Sequence, residues 1–82
     1  MNVPRVRFYT KAGCELCEHA LAVVLRAQRR IPFDLEQVDI TADPELFQRY
    51  RYRIPVVEID GEEVFDLTVR EDRLLERLRR RR

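Results

Sequence analysis

Val6-Arg7-Phe8-Tyr9-Thr10-Lys11-Ala12-Gly13-Cys14-Glu15-Leu16-Cys17 joins a short apolar, strand-like run to a Cys-x-x-Cys pair, and Cys14 and Cys17 are the only two cysteines in the chain. A bridge between them closes a loop of only a few residues. Such a loop removes little entropy from the unfolded chain, so the bridge contributes little as a structural staple and is suited to being made and broken. When the first cysteine of such a pair opens a helix, its thiol sits at the positive end of the helix dipole. There the pKa falls from about 8.5 to roughly 3.5–7.5, and the reactive thiolate becomes accessible. Cys14 is the candidate nucleophile and Cys17, one helical turn on, the candidate resolving thiol.

The remaining composition narrows the setting. Eighty-two residues, 45% hydrophobic and 38% charged, suffice for a single domain over residues 1–82 with a small core. A formal net charge of +1 supplies no dominant field for a polyanion, so no nucleic-acid partner is expected. No run approaches the roughly 18 apolar residues of a membrane span, and the opening Met1-Asn2-Val3-Pro4-Arg5 has no apolar signal core, so no membrane association is expected either. The expectation is a cytoplasmic monomer, in a compartment where paired cysteines are more often catalytic, redox-sensing or metal-binding than structural.

Outward from the cysteines, the chain alternates between strand and helix signals. Val6 to Tyr9 reads as a first strand. From Cys14 to about Arg30, Leu16, Ala20, Leu21, Val23, Val24, Leu25 and Ala27 form a broad apolar face at helical spacing, ended by Ile31-Pro32, because proline disfavours a helical residue before it. Phe33 to Ile40 reads as a second strand; reached through a helix, it must lie parallel to the first in a right-handed crossover. Asp43 as N-cap with Pro44 at the first helical position opens a short helix ending near Tyr50. Pro55–Ile59 and Glu63–Phe65 flank Asp60-Gly61-Glu62, and Asp-Gly favours a tight antiparallel hairpin. Thr68-Val69-Arg70-Glu71 has the pattern of a capping box for a last helix with Val69, Leu74, Leu75 and Leu78 inward and Arg79–Arg82 at its negative end.

The resulting order β-α-β-α-β-β-α, with Cys-x-x-Cys between the first strand and first helix, resembles the glutaredoxin-like proteins of the thioredoxin-fold superfamily, nearest the small bacterial group. The resemblance runs from about Arg5 to Leu78. It rests on Phe8 to Cys17, on Val38-Asp39-Ile40 with Asp43-Pro44-Glu45-Leu46, and on Arg53-Ile54-Pro55-Val56-Val57 followed by Asp60-Gly61. It implies an α/β thioredoxin-like fold, a four-stranded mixed sheet flanked by three helices. It also implies a thiol-disulfide oxidoreductase that uses Cys14 and Cys17, without a cofactor, to reduce protein or small-molecule disulfides. The proline matching Pro55 has a cis peptide bond in such proteins and packs against the cysteine pair, leaving the backbone of the preceding residue, here Ile54, to pair with an extended substrate. Lys11 would stabilise the thiolate or contact a carboxylate, whereas Glu15 and Glu18 place negative charge nearby and are also ordinary dipole partners. Glutathione-dependent members carry two glycines where this chain has Phe65-Asp66. The implied partners are therefore a disulfide-containing protein and a dithiol reductase, with glutathione second.

Other readings attach to the same residues. A non-catalytic thioredoxin-fold module would bind a partner protein or a metal through the Cys14/Cys17 face. His19, two residues beyond Cys17, points to another helix face, and no further Cys or His cluster completes a tetrahedral site, so no metal is expected. Glu18 in place of histidine after Cys17 excludes the c-type haem motif. Tyr9, Tyr50 and Tyr52 are read as packing residues, and Arg49, Arg51 and Arg53 as a solvated basic face with an acidic partner as the alternative.

Overall fold

The computed structural model describes residues 3–80; Met1, Asn2, Arg81 and Arg82, including the end of the expected arginine tail, lie outside them. The elements are β1 (Arg5–Thr10), α1 (Glu15–Arg30), β2 (Asp34–Asp39), a 3-10 turn (Ile40–Ala42), α2 (Pro44–Tyr50), β3 (Val56–Ile59), β4 (Glu62–Asp66) and α3 (Glu71–Arg80). The sheet order is β2-β1-β3-β4. β1 is parallel to β2 and antiparallel to β3, and β3 and β4 form an antiparallel hairpin. This is the mixed four-stranded α/β arrangement expected, with α1 as the crossover that a parallel β1–β2 pair requires.

Alternation along β1 sorts the two faces of the sheet. Val6 and Phe8 are buried on one face, opposite Ile59 and Val57 of β3, while Arg5, Arg7 and Tyr9 occupy the other. Tyr50 of α2 meets Tyr9 with ring centroids 4.6 Å apart, which fixes α2 on the Tyr9 face. The helices α1 and α3 pack against each other, and Cys17, Ala20, Val24 and Ala27 of α1 join Leu74, Leu75 and Leu78 of α3 in the core. Each fully buried aliphatic or aromatic side chain in such a core contributes about 1.5–3 kcal/mol relative to exposure.

The apolar stripe of α1 is narrower than its sequence predicts. Its buried residues follow the spacing Cys17, Ala20, Val24, Ala27, whereas Leu16 and Leu25 are exposed; a helix lying on one sheet and one neighbour buries only the positions facing them. The N-cap of α2 forms as expected: the Asp43 side chain accepts from the Glu45 and Leu46 N–H groups at 2.9 and 3.4 Å, and Pro44 follows it. In the hairpin, Asp60 and Gly61 both have positive φ, 51° and 86°, the backbone of a two-residue turn matched to strand twist. Thr41 donates from its hydroxyl and its N–H to Asp39, holding that carboxyl below its ordinary range. The stabilisation from Asp39 is therefore complete above about pH 4 and lost as acid carries the pH down through the lowered value.

The capping box does not form. The N–H of Thr68 bonds to the Asp66 carbonyl at 2.7 Å, and the first helical bond of α3 runs from the Leu74 N–H to the Arg70 carbonyl at 2.9 Å. Glu71 is thus the first residue of the helix rather than its third, and Val69 is buried just ahead of it. The tight turn at Asp66–Thr68 commits the Thr68 backbone before the helix begins.

Removing the side-chain cap of α2 tests this local reading. Asp43→Ala is expected to lower stability by about 1 kcal/mol, seen in a thermal melt as a drop of about 4–8 °C for a chain of this size.

Candidate redox site

Tyr9 lies opposite Val56 in the antiparallel β1–β3 pair, and Val56 lies opposite Asp66 in the β3–β4 pair. Three stretches consequently leave the sheet at the same end: Thr10 to Cys14 after β1, Arg51 to Pro55 before β3, and Leu67 onward after β4. The sequence-predicted residues Lys11, Cys14, Cys17, Ile54 and Pro55 all belong to this end.

Gly13, at φ 74°, turns the chain from β1 into α1. A Cβ there would meet no atom within 4 Å, so the position favours glycine through its left-handed backbone rather than through lack of space. Cys14 is then the N-cap of α1, with φ −100° and ψ 106°. Its Sγ accepts the Cys17 N–H at 3.1 Å, and its carbonyl accepts the Glu18 N–H at 3.1 Å. Cys14 is half-buried, whereas Cys17 is only 2% exposed. The two are joined as a disulfide with Cα atoms 5.2 Å apart. In the reduced state, the N–H that reaches the Cys14 sulfur and the positive end of α1 both favour a negative charge on that sulfur.

Lys11, Glu15 and Glu18 are exposed around the pair, and none of them forms an ion pair among the described residues. His19 is also exposed. Among the described residues, no group of three His, Cys, Asp or Glu side chains is placed to hold a metal ion.

The Ile54–Pro55 peptide bond is cis, the form the resemblance implies. The Ile54 backbone, however, is only half available. Its N–H donates to the Tyr50 carbonyl at 3.1 Å, alongside the Arg53 N–H at 2.8 Å. The Ile54 carbonyl accepts no hydrogen bond among the described residues. Of the backbone that the resemblance leaves to pair with an extended substrate, the Ile54 N–H is thus already engaged within the fold.

Two further residues shape this end and were not singled out from sequence as site residues. Arg53, read as one member of a solvated basic triplet, is engaged within the fold: Nε donates to Asp66 Oδ2 at 3.1 Å, Nη2 bonds Glu63, and the guanidinium lies 5.6 Å from the Tyr50 ring centroid. It ties the approach to Pro55 to β4. Leu67 follows with φ 69°, in the left-handed region that costs a side-chain-bearing residue about 1–2 kcal/mol. Its N–H donates to the carbonyls of both Arg53 and Pro55, at 3.0 and 2.9 Å. No glycine or asparagine signals that backbone. Phe65 is half-buried against the core, and Asp66 has its charge met by Arg53, so the electrostatic half of the barrier to a glutathione carboxylate expected from Phe65-Asp66 is offset.

The aromatic and basic residues separate into distinct roles. Tyr9 and Tyr50 are buried packing partners; burial pushes the Tyr9 phenol above its ordinary range, against the opposing hydrogen bond from Arg7. Tyr52 is 79% exposed, with Arg51 lying 4.6 Å from its ring centroid and donating to its hydroxyl at 2.7 Å. A groove of about 650 Å³ lies between the first residues of β1 and β2 and the end of β3, lined by Arg5, Arg7, Asp34, Glu36, Glu58 and Asp60. It is at the opposite end of the sheet from the disulfide, and its Arg7–Glu36 pair is ordinary surface ion pairing.

Residues 5–79 match the family model described as Glutaredoxin-like domain (DUF836). A glutaredoxin-like protein of Dictyostelium discoideum is 31% identical over 75 residues, covering 84% of this chain and 69% of that protein. The solution structure of a Nitrosomonas europaea protein superposes with a TM-score of 0.82 at 25% identity, over 95% of this chain and 94% of the other. Thioredoxin-2 of a malaria parasite superposes with a TM-score of 0.76 at 14% identity, over 98% of this chain and 84% of its own; at that identity the likeness establishes a thioredoxin fold.

The unequal burial of the two sulfurs yields a direct test. In the reduced protein, iodoacetamide is expected to modify Cys14 well before Cys17 at neutral pH, as read by peptide mass mapping across a pH series. Faster modification of Cys17 would reverse the assigned roles.

Proposed function

This chain belongs to the glutaredoxin-like domain family, and from that premise we propose that it is a thiol-disulfide oxidoreductase working through the Cys14/Cys17 pair. The observation that carries this reading is the placement of Cys14 at the N-cap of α1. Its sulfur receives the Cys17 N–H and stands within disulfide reach of a buried second cysteine.

In the proposed reaction, the Cys14 thiolate attacks one sulfur of a partner disulfide. The partner's other sulfur leaves as a thiolate, and a mixed disulfide joins Cys14 to the partner. Cys17, having lost its proton to solvent, attacks the Cys14 sulfur and expels the partner's second thiolate. The partner has gained two electrons and, after protonation, two protons; the chain is left with the Cys14–Cys17 disulfide. An external dithiol must reduce that bridge before another cycle.

We assign that role to a flavin-dependent dithiol reductase of the thioredoxin reductase type, ahead of glutathione. Glutathione would have to lie along Ile54-Pro55 beside Phe65 and Asp66, whose side chains stand where the resemblance implies two glycines. A protein dithiol needs only the Cys14 sulfur and the Ile54 carbonyl edge. Among the described residues, no helix is long and apolar enough to cross a membrane. A cysteine pair working as a reductant suits a reducing cytoplasm, the location we assign to the activity.

Trapping separates the roles of the two thiols. Cys17→Ser is expected to accumulate covalent mixed disulfides with protein disulfides, visible on non-reducing gels, whereas Cys14→Ser accumulates none. Equal adducts from both variants would mean a passive, surface-reactive pair. Turnover of a protein disulfide is expected to be faster with a thioredoxin-reductase couple than with glutathione and glutathione reductase. The reverse order would contradict the reductant assignment.

A further inference from the structure

Arg53 meets the end of β4 twice, once through its main chain and once through its side chain. Its carbonyl accepts the Leu67 N–H at 3.0 Å, while Nε donates to Asp66 Oδ2 and Nη2 bonds Glu63. Its own N–H donates to the Tyr50 carbonyl, and its guanidinium lies beside the Tyr50 ring. Arg49 and Arg51 form no ion pair among the described residues. Only Arg53 of the three joins α2 to β4 by charge.

These bonds converge on the orientation of residue 54. The Arg53–Ile54 peptide plane is held at both edges, its carbonyl by Leu67 and its N–H by Tyr50, and the Pro55 carbonyl is held by the same Leu67 N–H at 2.9 Å. The Ile54 carbonyl lies between those two pinned groups and is itself unbonded among the described residues, so its direction depends on where the Leu67 N–H stands. Apolar packing does not hold Leu67, whose side chain is exposed and outside the core. The tether beside it is the Arg53–Asp66 bond. The β3–β4 register also sets Glu63 opposite Glu58, a like-charged pair that weakens a sheet unless a cation is close. Both ion pairs of Arg53 are part-exposed and add little stability. What they do fix is geometry.

Resting on the oxidoreductase reading above, we propose that Arg53 is a positioning residue for thiol exchange with extended polypeptide disulfides. It touches neither sulfur. By clamping the turn after β4, it keeps the Ile54 carbonyl as a fixed acceptor for an N–H of a partner segment whose cysteine is under attack by Cys14. A small disulfide that has no backbone N–H beside its sulfur makes no use of that acceptor and is indifferent to Arg53.

The test uses full-length protein, reduced and freed of reductant, in single turnover against two oxidants: a disulfide-linked synthetic peptide and bis(2-hydroxyethyl) disulfide. Arg53→Gln is expected to lower the second-order rate with the peptide about three- to tenfold, the range of one hydrogen bond. Its rate with the small disulfide, and the pH profile of Cys14 alkylation, should match those of the unaltered protein. Asp66→Ala removes the same bond from the other side and should show the same selective loss, which keeps the claim testable if Arg53→Gln does not fold. Arg53→Lys keeps the charge but not the fork that spans Asp66 and Glu63, and should resemble Arg53→Gln. Arg26→Gln breaks a part-exposed ion pair between α1 and α3 and should leave both rates as they were. An undiminished peptide rate in folded Arg53→Gln or Asp66→Ala would overturn the proposal. So would an equal loss with both oxidants, which marks general damage to the site, or full recovery in Arg53→Lys, which makes charge alone sufficient. Failure of the unaltered protein to react with either oxidant would instead contradict thiol exchange itself, and the positioning claim would fall with it.

Discussion

The antiparallel pairing of β1 with β3 is the constraint on which the site depends. By setting Tyr9 against Val56, it brings the chain that runs on to Cys14 and the chain that arrives through Ile54 and Pro55 to one end of the sheet. The β3–β4 register then adds Leu67. Four strands with core residues such as Phe8, Val56 and Val57 fully buried give that end a rigid base, which a site assembled from three separate turns requires. A register slip by one residue would invert Val6 and Phe8 relative to the core and scatter the three turns.

Local chemistry then determines what the assembled end can do. The cysteine that caps α1 spends its sulfur on the N–H of its own partner cysteine, so the interaction that starts the helix also favours the charged form of the thiol. The stabilising cap and the proposed nucleophile are one group. Arg53 acts at one remove: its bonds to Asp66 and Glu63 and its place beside Tyr50 connect α2, the cis Ile54–Pro55 segment and β4. Each of its ion pairs is partly exposed and worth little singly; their combined effect is to hold the Leu67 turn against the Pro55 carbonyl.

The sequence made much of this legible where local rules govern. The Cys-x-x-Cys after an apolar run, the Asp43-Pro44 cap and the Asp60-Gly61 turn each depend on a few adjacent residues and formed as read. The family resemblance added the cis bond at Pro55, which no local preference would favour. Failures came where distant groups decide. The Thr68–Glu71 box was displaced by the turn at Asp66–Thr68. The wide apolar face of α1 was trimmed because only one side meets the sheet and α3. The left-handed Leu67 and the internal engagement of Arg53 have no signature in neighbouring residues, since both follow from carbonyls and carboxylates brought near by the fold.

The central claim is that Cys14 and Cys17 form a reversible redox pair, and equilibrium titration tests it most directly. The protein is brought to equilibrium in buffers of graded dithiothreitol ratio, acid-quenched, alkylated and weighed by mass spectrometry. The account predicts one reversible two-electron transition, approached identically from the reduced and oxidised sides, with both thiols appearing together. A pair that stays locked in one state across the range, or whose thiols appear separately, would contradict it.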